Sequence, residues 1–270
     1  MIDILLPVYN GEKYLAKQID SILSQSYSDW HLIIRDDYSI DKSLSIISDY
    51  TKKYPHKIER IGDENRNLGV NKSFECLLRH SKSDYVMLCD QDDIWLPEKI
   101  YVEMREMEML EKSIGNIPIL ICSDAKCINE NEDVISDSFF RSQKFYDVIG
   151  NVTKMAALNI VQGNTCLMNK QCIKHILPIP DEGIYDSWIG INICYYGKVV
   201  YIHQPLVLYR QHLLNAVGAN CIGVHYFVQK IQHILKILGV YKRIYKRIPF
   251  KINLLLWGYY KFVYSIKRLF

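Results

Sequence analysis

Fifteen residues, Tyr85 to Lys99, restrict the fold more than any other stretch of the chain. The segment opens as an unbroken apolar run, Tyr85-Val86-Met87-Leu88-Cys89, and ends in Asp90-Gln91-Asp92-Asp93. An apolar run without alternation reads as a strand buried on both faces, as inside a parallel sheet. Three carboxylates within four residues repel one another and raise each other's pKa. A divalent cation relieves that repulsion, and hard oxygen ligands suit Mg2+ or Mn2+, which also hold substrate phosphates. Open α/β sheets bind ligands at the carboxyl ends of their strands, where this cluster falls. The alternative is a solvated acidic turn leading into a helix, with Pro97 at an early helical position and Glu98 favoured by the dipole.

The rest of the first half repeats the pattern of strand, helix, strand, helix. Apolar runs at Ile2–Val8, His31–Arg35 and near Ile58–Ile61 read as strands, and helical spacing recurs at Tyr14–Leu23, about Asp41–Tyr54 and Asn71–His80. That alternation specifies a doubly wound, largely parallel α/β sheet flanked by helices. Beyond Pro97 the sequence predicts a helix to about Lys112, a strand over Ile117–Cys122 and a polar loop over 129–153. It then predicts a strand with a loop over Ile160–Asn169, a helix from about Asp186, and strands over Lys198–His203 and Pro205–Arg210.

Polar residues follow each early strand: Pro7-Val8-Tyr9-Asn10 after the first, Asp36-Asp37 after the second, and Asn65 to Asn71 before a helix N-terminus that can face an anion. A carboxylate at this edge can accept from a base or a ribose hydroxyl. Neither a G-x-G-x-x-G fingerprint nor a Walker A sequence is present. The edge therefore suits a nucleotide whose phosphates are held by metal rather than by a glycine-rich loop.

Charge divides the chain. Its formal net charge is +3, yet the last acid is Asp186: of the 33 bases, 21 precede Ser187 with all 30 acids, and 12 follow it with none. Such segregation points the C-terminal part at an anionic partner. Between 225 and 270 the bases are interleaved with Ile, Leu and aromatic residues at helical spacing, the composition of an interfacial helix. The interleaved aliphatics favour lipid over nucleic acid; packing on the main domain is the alternative. The eight cysteines form no C-x-x-C pair and are expected to be reduced, as in the cytosol. No signal peptide and no clear transmembrane helix are expected.

Several of these segments together resemble the family 2 glycosyltransferases of the GT-A fold, especially bacterial rhamnosyltransferase-like members. The likeness covers about residues 1–220. It rests on Leu5-Leu6-Pro7-Val8-Tyr9-Asn10-Gly11-Glu12, Ser21-Ile22-Leu23-Ser24-Gln25-Ser26-Tyr27 and Asp36-Asp37-Tyr38-Ser39. Asn67-Leu68-Gly69, Asp90 to Lys99, Tyr185-Asp186-Ser187-Trp188 and Tyr209-Arg210-Gln211-His212 with Asn215 and Gly218 complete it. A catalytic domain over 1–223 is expected on that likeness, and the composition beyond it reads as a basic amphipathic helical tail over 224–270. The resemblance implies nucleotide contacts from Pro7, Tyr9, Asp36, Asn67 and Asp90, and a metal site (Mg2+ or Mn2+) of Asp92 and Asp90 completed by His212. Asp186 would be the general base on the acceptor hydroxyl, with a helix N-cap as its alternative. Lys72 is weighed between a diphosphate contact and a solvated cation, Trp95 is read as packing, Trp188 as packing or a sugar platform, and Asp37 as holding the turn.

The implied activity is inverting transfer of a sugar, such as rhamnose, from a nucleotide-diphosphate donor to a saccharide acceptor, itself lipid-linked, in surface polysaccharide or O-antigen synthesis. The implied place is cytoplasmic, peripheral at the inner face of the membrane. Two rivals remain at this level: an inactive nucleotide-sugar-binding module of a glycan-assembly complex, and a nucleotidyltransferase. Two departures from the family pattern stand out. Tyr185 occupies a position where histidine is common. Tyr38 replaces a common glycine, which suggests a turn without a left-handed residue.

Overall fold

The computed structural model describes residues 1–62, 66–145, 148–212, 247–248 and 250–267. The expected alternation of the first half is present: β1 (Ile2–Val8), α1 (Leu15–Leu23), β2 (Trp30–Asp36), α2 (Ser43–Lys53), β3 (Ile58–Arg60), α3 (Val70–His80) and β4 (Tyr85–Leu88). After it come β5 (Ile94–Trp95), α4 (Lys99–Ile114), β6 (Ile119–Ile128), β7 (Val134–Ser136), α5 (Phe139–Ser142) and α6 (Val152–Ala157). The described elements end with β8 (Cys166–Asn169), α7 (Ile173–Ile176), α8 (Tyr185–Tyr196), β9 (Lys198–Arg210) and α9 (Leu254–Lys267).

One sheet runs through the molecule in the order β3-β2-β1-β4-β8-β6-β9-β5, with β7 on the edge of β6. β3, β2, β1 and β4 are parallel, as are β6 and β9; β8 enters antiparallel between β4 and β6. Strand β1 shows why both faces are covered. Its alternation sends Ile2, Ile4, Leu6 and Val8 into a core with Leu15, Ile19 and Ile22 of α1 and Ile100, Met104 and Met107 of α4. Leu5 points the other way, into a core with Phe74, Leu77 and Leu78 of α3 and Ile189 and Ile193 of α8.

Two expectations change. The stretch 129–153 is not a plain loop, since β7, α5 and the start of α6 lie within it. Elements of three to six residues are too short to show a period. They are fixed instead by caps and a buried acid: Ser138 accepts from the Arg141 amide, Asn151 from the Lys154 amide, and Asp124 takes the Ser138 hydroxyl and the Phe140 amide. The two C-terminal strand segments are one strand, β9, whose register against β6 shifts around Asp124, opposite Pro205.

Of the tail, residues 224–246, 249 and 268–270 lie outside the described residues, as do 213–223 with Asn215 and Gly218 of the motif. The described part, α9, packs on α6. Trp257 and Tyr264 are buried in the second core with Ile248 and Phe250. The Trp257 indole donates to the Ala156 carbonyl at 3.1 Å and the Lys261 ammonium to that of Ala157 at 2.9 Å.

Candidate active site

Parallel β1, β2 and β4 end together, and their following turns are bonded to one another. The side-chain amide of Gln91 pairs with the backbone of Tyr9, accepting its N–H at 2.8 Å and donating to its carbonyl at 3.0 Å. Gly11 leaves room for it, since a Cβ there would stand 2.7 Å from Gln91 Oε1 and displace the side-chain amide. The Tyr9 ring is left about half exposed at the edge, and Pro7 lies opposite Arg35 of β2.

In the second turn Asp36 Oδ2 accepts from the Ser39 amide at 3.0 Å, while Asp36 Oδ1 is buried without a donor. Asp37 holds the turn, as expected: it pairs with Arg35 at 2.6 Å and accepts from the amides of Leu68 and Gly69. Asn67 donates to the Asp37 carbonyl at 3.1 Å, so it braces the turn beside Asp36. Tyr38 has φ +68°, a left-handed residue after all. Hydrogen bonds from Ser39 to Asp36 and from Asn10 to Ser39 hold the backbone there despite the side chain.

The acidic stretch after β4 is sorted by its partners. Asp93 is fully buried and accepts the Arg210 amide at 2.9 Å and the side-chain amide of Asn164. Burial and the adjacent Asp92 and Asp90 push its carboxyl well up. Arg210, also fully buried, donates to the Asp92 carbonyl at 2.9 Å and to Glu132, with its guanidinium over the Tyr14 ring. Asp92 Oδ2 meets His212 Nε2 at 2.8 Å, and the His212 ring stacks on Tyr14 at 5.3 Å between centroids.

Asp90 and Asp186 form the other end of the site. Burial, then Asp92 and Asp186, raise Asp90 to about 7, and the Tyr185 hydroxyl 3.4 Å away partly offsets this. Burial raises Asp186 to about 7 against bonds from the Ser187 and Gly163 amides and from Asn159, whose side-chain amide donates at 3.1 Å. Asp186 is not the N-cap. That position is Ile184, which makes no side-chain cap bond, and Asp186 is the second residue of α8. Tyr185 packs on Phe74, the rings tilted with centroids 4.3 Å apart, and lies so close to Gly163 that a Cβ there would stand 2.0 Å from its hydroxyl oxygen.

Lys72 is partly exposed but paired: it meets Glu75 and Asp181 beside a cleft of about 270 Å³ at the start of α3. Trp95 is buried, and the Trp188 indole donates to the Ile176 carbonyl at 2.7 Å, so both pack.

The expected metal triad is resolved into two contacts, Asp92 with His212 and Asp90 with Tyr185. Among the described residues no three His, Cys, Asp or Glu side chains converge as a metal-holding group. Each carboxylate has instead taken the nearest hydrogen-bonding side chain. The donor set, two crowded carboxylates and an imidazole, nevertheless fits a divalent cation, whose charge would offset the repulsion that raises Asp90.

Sequence reasoning did not single out Gln91, Asn159, Asn164 or Gly163, and quoted Arg210 without a role. Gln91 and Arg210 lie inside the quoted motifs, where that signal was available. Asn159 and Asn164 sit in a stretch without period or motif.

Comparison with known proteins identifies the family and the fold. The family model described as Glycosyl transferase family 2 matches residues 3–177. The dTDP-rhamnosyl transferase RfbG of Shigella flexneri is 25% identical over 229 residues, 80% of this chain and 74% of RfbG. The putative glycosyltransferase EpsE of Bacillus subtilis is 35% identical over 107 residues, 40% of this chain and 38% of EpsE. Among solved structures, S. aureus TarS 1–349 in complex with UDP-GlcNAc superposes with a TM-score of 0.62 at 13% identity, over 98% of this chain and 72% of that one. The mannosyltransferase PcManGT from Pyrobaculum calidifontis, in complex with GDP-Man and Mn2+, gives 0.59 at 14% identity over 98% and 73%. The chain belongs to the family 2 glycosyltransferases and has the GT-A fold.

Proposed function

We propose that this glycosyltransferase works with inversion, moving a sugar from a nucleotide-diphosphate donor to a hydroxyl of a saccharide acceptor. The observation that carries the reading is Asp186: a carboxylate raised to about 7 at the site shared with Asp90, Asp92 and His212. A base with that affinity for protons matches work near neutral pH.

Pro7, Tyr9, Asp36 and Asn67 line the nucleotide; the donorless buried Oδ1 of Asp36 is an acceptor waiting for a ribose hydroxyl or base N–H. Asp90, Asp92 and His212 would hold Mg2+ or Mn2+. That cation supplies counter-charge to the departing diphosphate. Asp186 takes the acceptor's proton as its oxygen attacks the anomeric carbon from the side opposite the diphosphate. The C1–O bond to phosphate breaks as the new C1–O bond forms, which inverts the configuration. Asn159 and the Gly163 amide keep the Asp186 carboxylate oriented.

Rhamnose, carried by dTDP, is the donor sugar we favour, supported by the name of RfbG at 25% identity. The acceptor is a growing surface glycan such as an O-antigen on a lipid carrier, reached by residues 1–223 while the basic tail, 224–270, holds the protein at the inner face of the cytoplasmic membrane. The ten bases of that tail, with no acid among them, support that placement.

A panel of nucleotide sugars tests the donor, each scored with Mn2+ for thermal stabilisation and slow hydrolysis. Stabilisation and hydrolysis confined to dTDP-rhamnose are expected. Binding without hydrolysis or transfer for every sugar would instead indicate an inactive binding module, and release of pyrophosphate from a nucleoside triphosphate a nucleotidyltransferase.

A further inference from the structure

Helix α9 is apolar on two opposite faces. Trp257, Tyr260 and Tyr264 lie on the side that packs on the body, with Trp257 and Lys261 bonded to α6. On the far side, at i, i+4 and i+7, stand Leu255, 87% exposed, Tyr259, 60%, and Phe262, 60%. A helix apolar all round is normally buried all round, and an exposed apolar stripe of this kind marks an interaction surface.

From the geometry we infer that the Leu255–Tyr259–Phe262 face seats on an anionic lipid bilayer. Charge decides between occupants. Arg247, Lys251 and Lys267 flank the stripe in sequence, and no acid follows Asp186 anywhere in the sequence. A second copy of this chain on the same face would bring two basic segments together, whereas an anionic surface neutralises them. No helix among the described residues is long and apolar enough to cross a membrane. The face thus lies in the interface, with aromatic and aliphatic side chains below and bases at the headgroups.

The docking also reaches the site. The carbonyls that α9 grips, Ala156 and Ala157, precede Asn159, which donates to Asp186. One short segment therefore joins the lipid-facing helix to the proposed base, so docking and transfer share a structural link. This last link rests on the transfer reaction proposed above; the lipid docking does not.

The test is flotation of the full chain with phosphatidylcholine vesicles, with and without phosphatidylglycerol, at low and high salt. A triple variant, Leu255→Ser, Tyr259→Ser and Phe262→Ser, runs beside it, with Leu255→Ser alone as a milder change. The full chain should float with the phosphatidylglycerol vesicles and less so in high salt. The triple variant should bind at least about tenfold more weakly and the single one by an intermediate factor, since apolar burial is lost. Donor hydrolysis in solution should be unaltered in both, so failure of the sugar-transfer reading would appear there and not in flotation. Equal binding of variants and parent, no binding of the parent, or a parent dimer that the variants dissolve would each overturn the inference.

Discussion

Nε2 of His212 lies 2.8 Å from Oδ2 of Asp92, across 120 residues of sequence. Arg210, two residues before the histidine, closes the same link from the backbone side through the Asp92 carbonyl and Asp93. The end of β9 and the turn after β4 are thus one unit, and the ring of Tyr14 lies under both the guanidinium and the imidazole.

Asp92→Ala is expected to abolish transfer and greatly weaken donor binding, because the diphosphate loses its counter-charge. Calorimetric titration of the donor in Mn2+ measures the loss. His212→Ala should raise the Mn2+ concentration needed for half-maximal turnover. Full activity in excess chelator would reject the metal-dependent reading.

Asp186→Asn keeps size and hydrogen-bonding capacity but cannot take a proton. Turnover should fall about 10²–10⁴-fold with donor binding retained. In the parent, turnover should climb with pH through about 7 as Asp186 ionises, and a residual activity of the variant should lose that rise. A pH–rate profile of both forms checks it.

The same residue should mark stability. Its folded carboxyl is raised from an ordinary 3.8 to about 7, so the folded state holds the proton more tightly than the unfolded one. The sign is therefore a penalty that builds as pH rises from about 4 to about 7 and is complete above it. Asp186→Asn should raise Tm relative to the parent more at pH 8 than at pH 5. An equal shift at both values would mean that burial does not disfavour the ionised carboxylate.

Tyr185→Phe removes the hydroxyl that faces Asp90 and keeps the ring on Phe74. Folding should be preserved and kcat lowered with little change in donor affinity. Tyr185→His, the residue common in the family at this position, should recover part of the rate. Gly163→Ala should cost about 1–3 kcal/mol by overpacking against the Tyr185 ring, read from denaturant unfolding.

Arg210→Lys keeps the charge but loses the planar fork that reaches the Asp92 carbonyl and Glu132 together. We expect a loss of about 3 kcal/mol in stability, the scale for breaking a buried charged contact. Donor binding should weaken with it, because the turn that carries Asp92 is loosened.

Local order was legible in the residues themselves. The alternation of strands and helices through β4, the buried run before Asp90, and the polar turns after β1, β2 and β4 follow from periods of 2 and 3.6 and from turn chemistry, which act within a few residues. The resemblance to a known family added the roles of Asp90, Asp92, Asp186 and His212. Tertiary structure decided the rest, because it depends on pairs far apart in sequence. It sent Asp93 to Arg210 and Asn164, left Asp92 to His212, and gave Asp37 its partners Arg35, Leu68 and Gly69. It also fixed Tyr38 in a left-handed conformation that a glycine would have announced, and gave α9 two apolar faces, one docked and one outward. Adjacent acids are alike in sequence; burial and the donor that each can reach make them different.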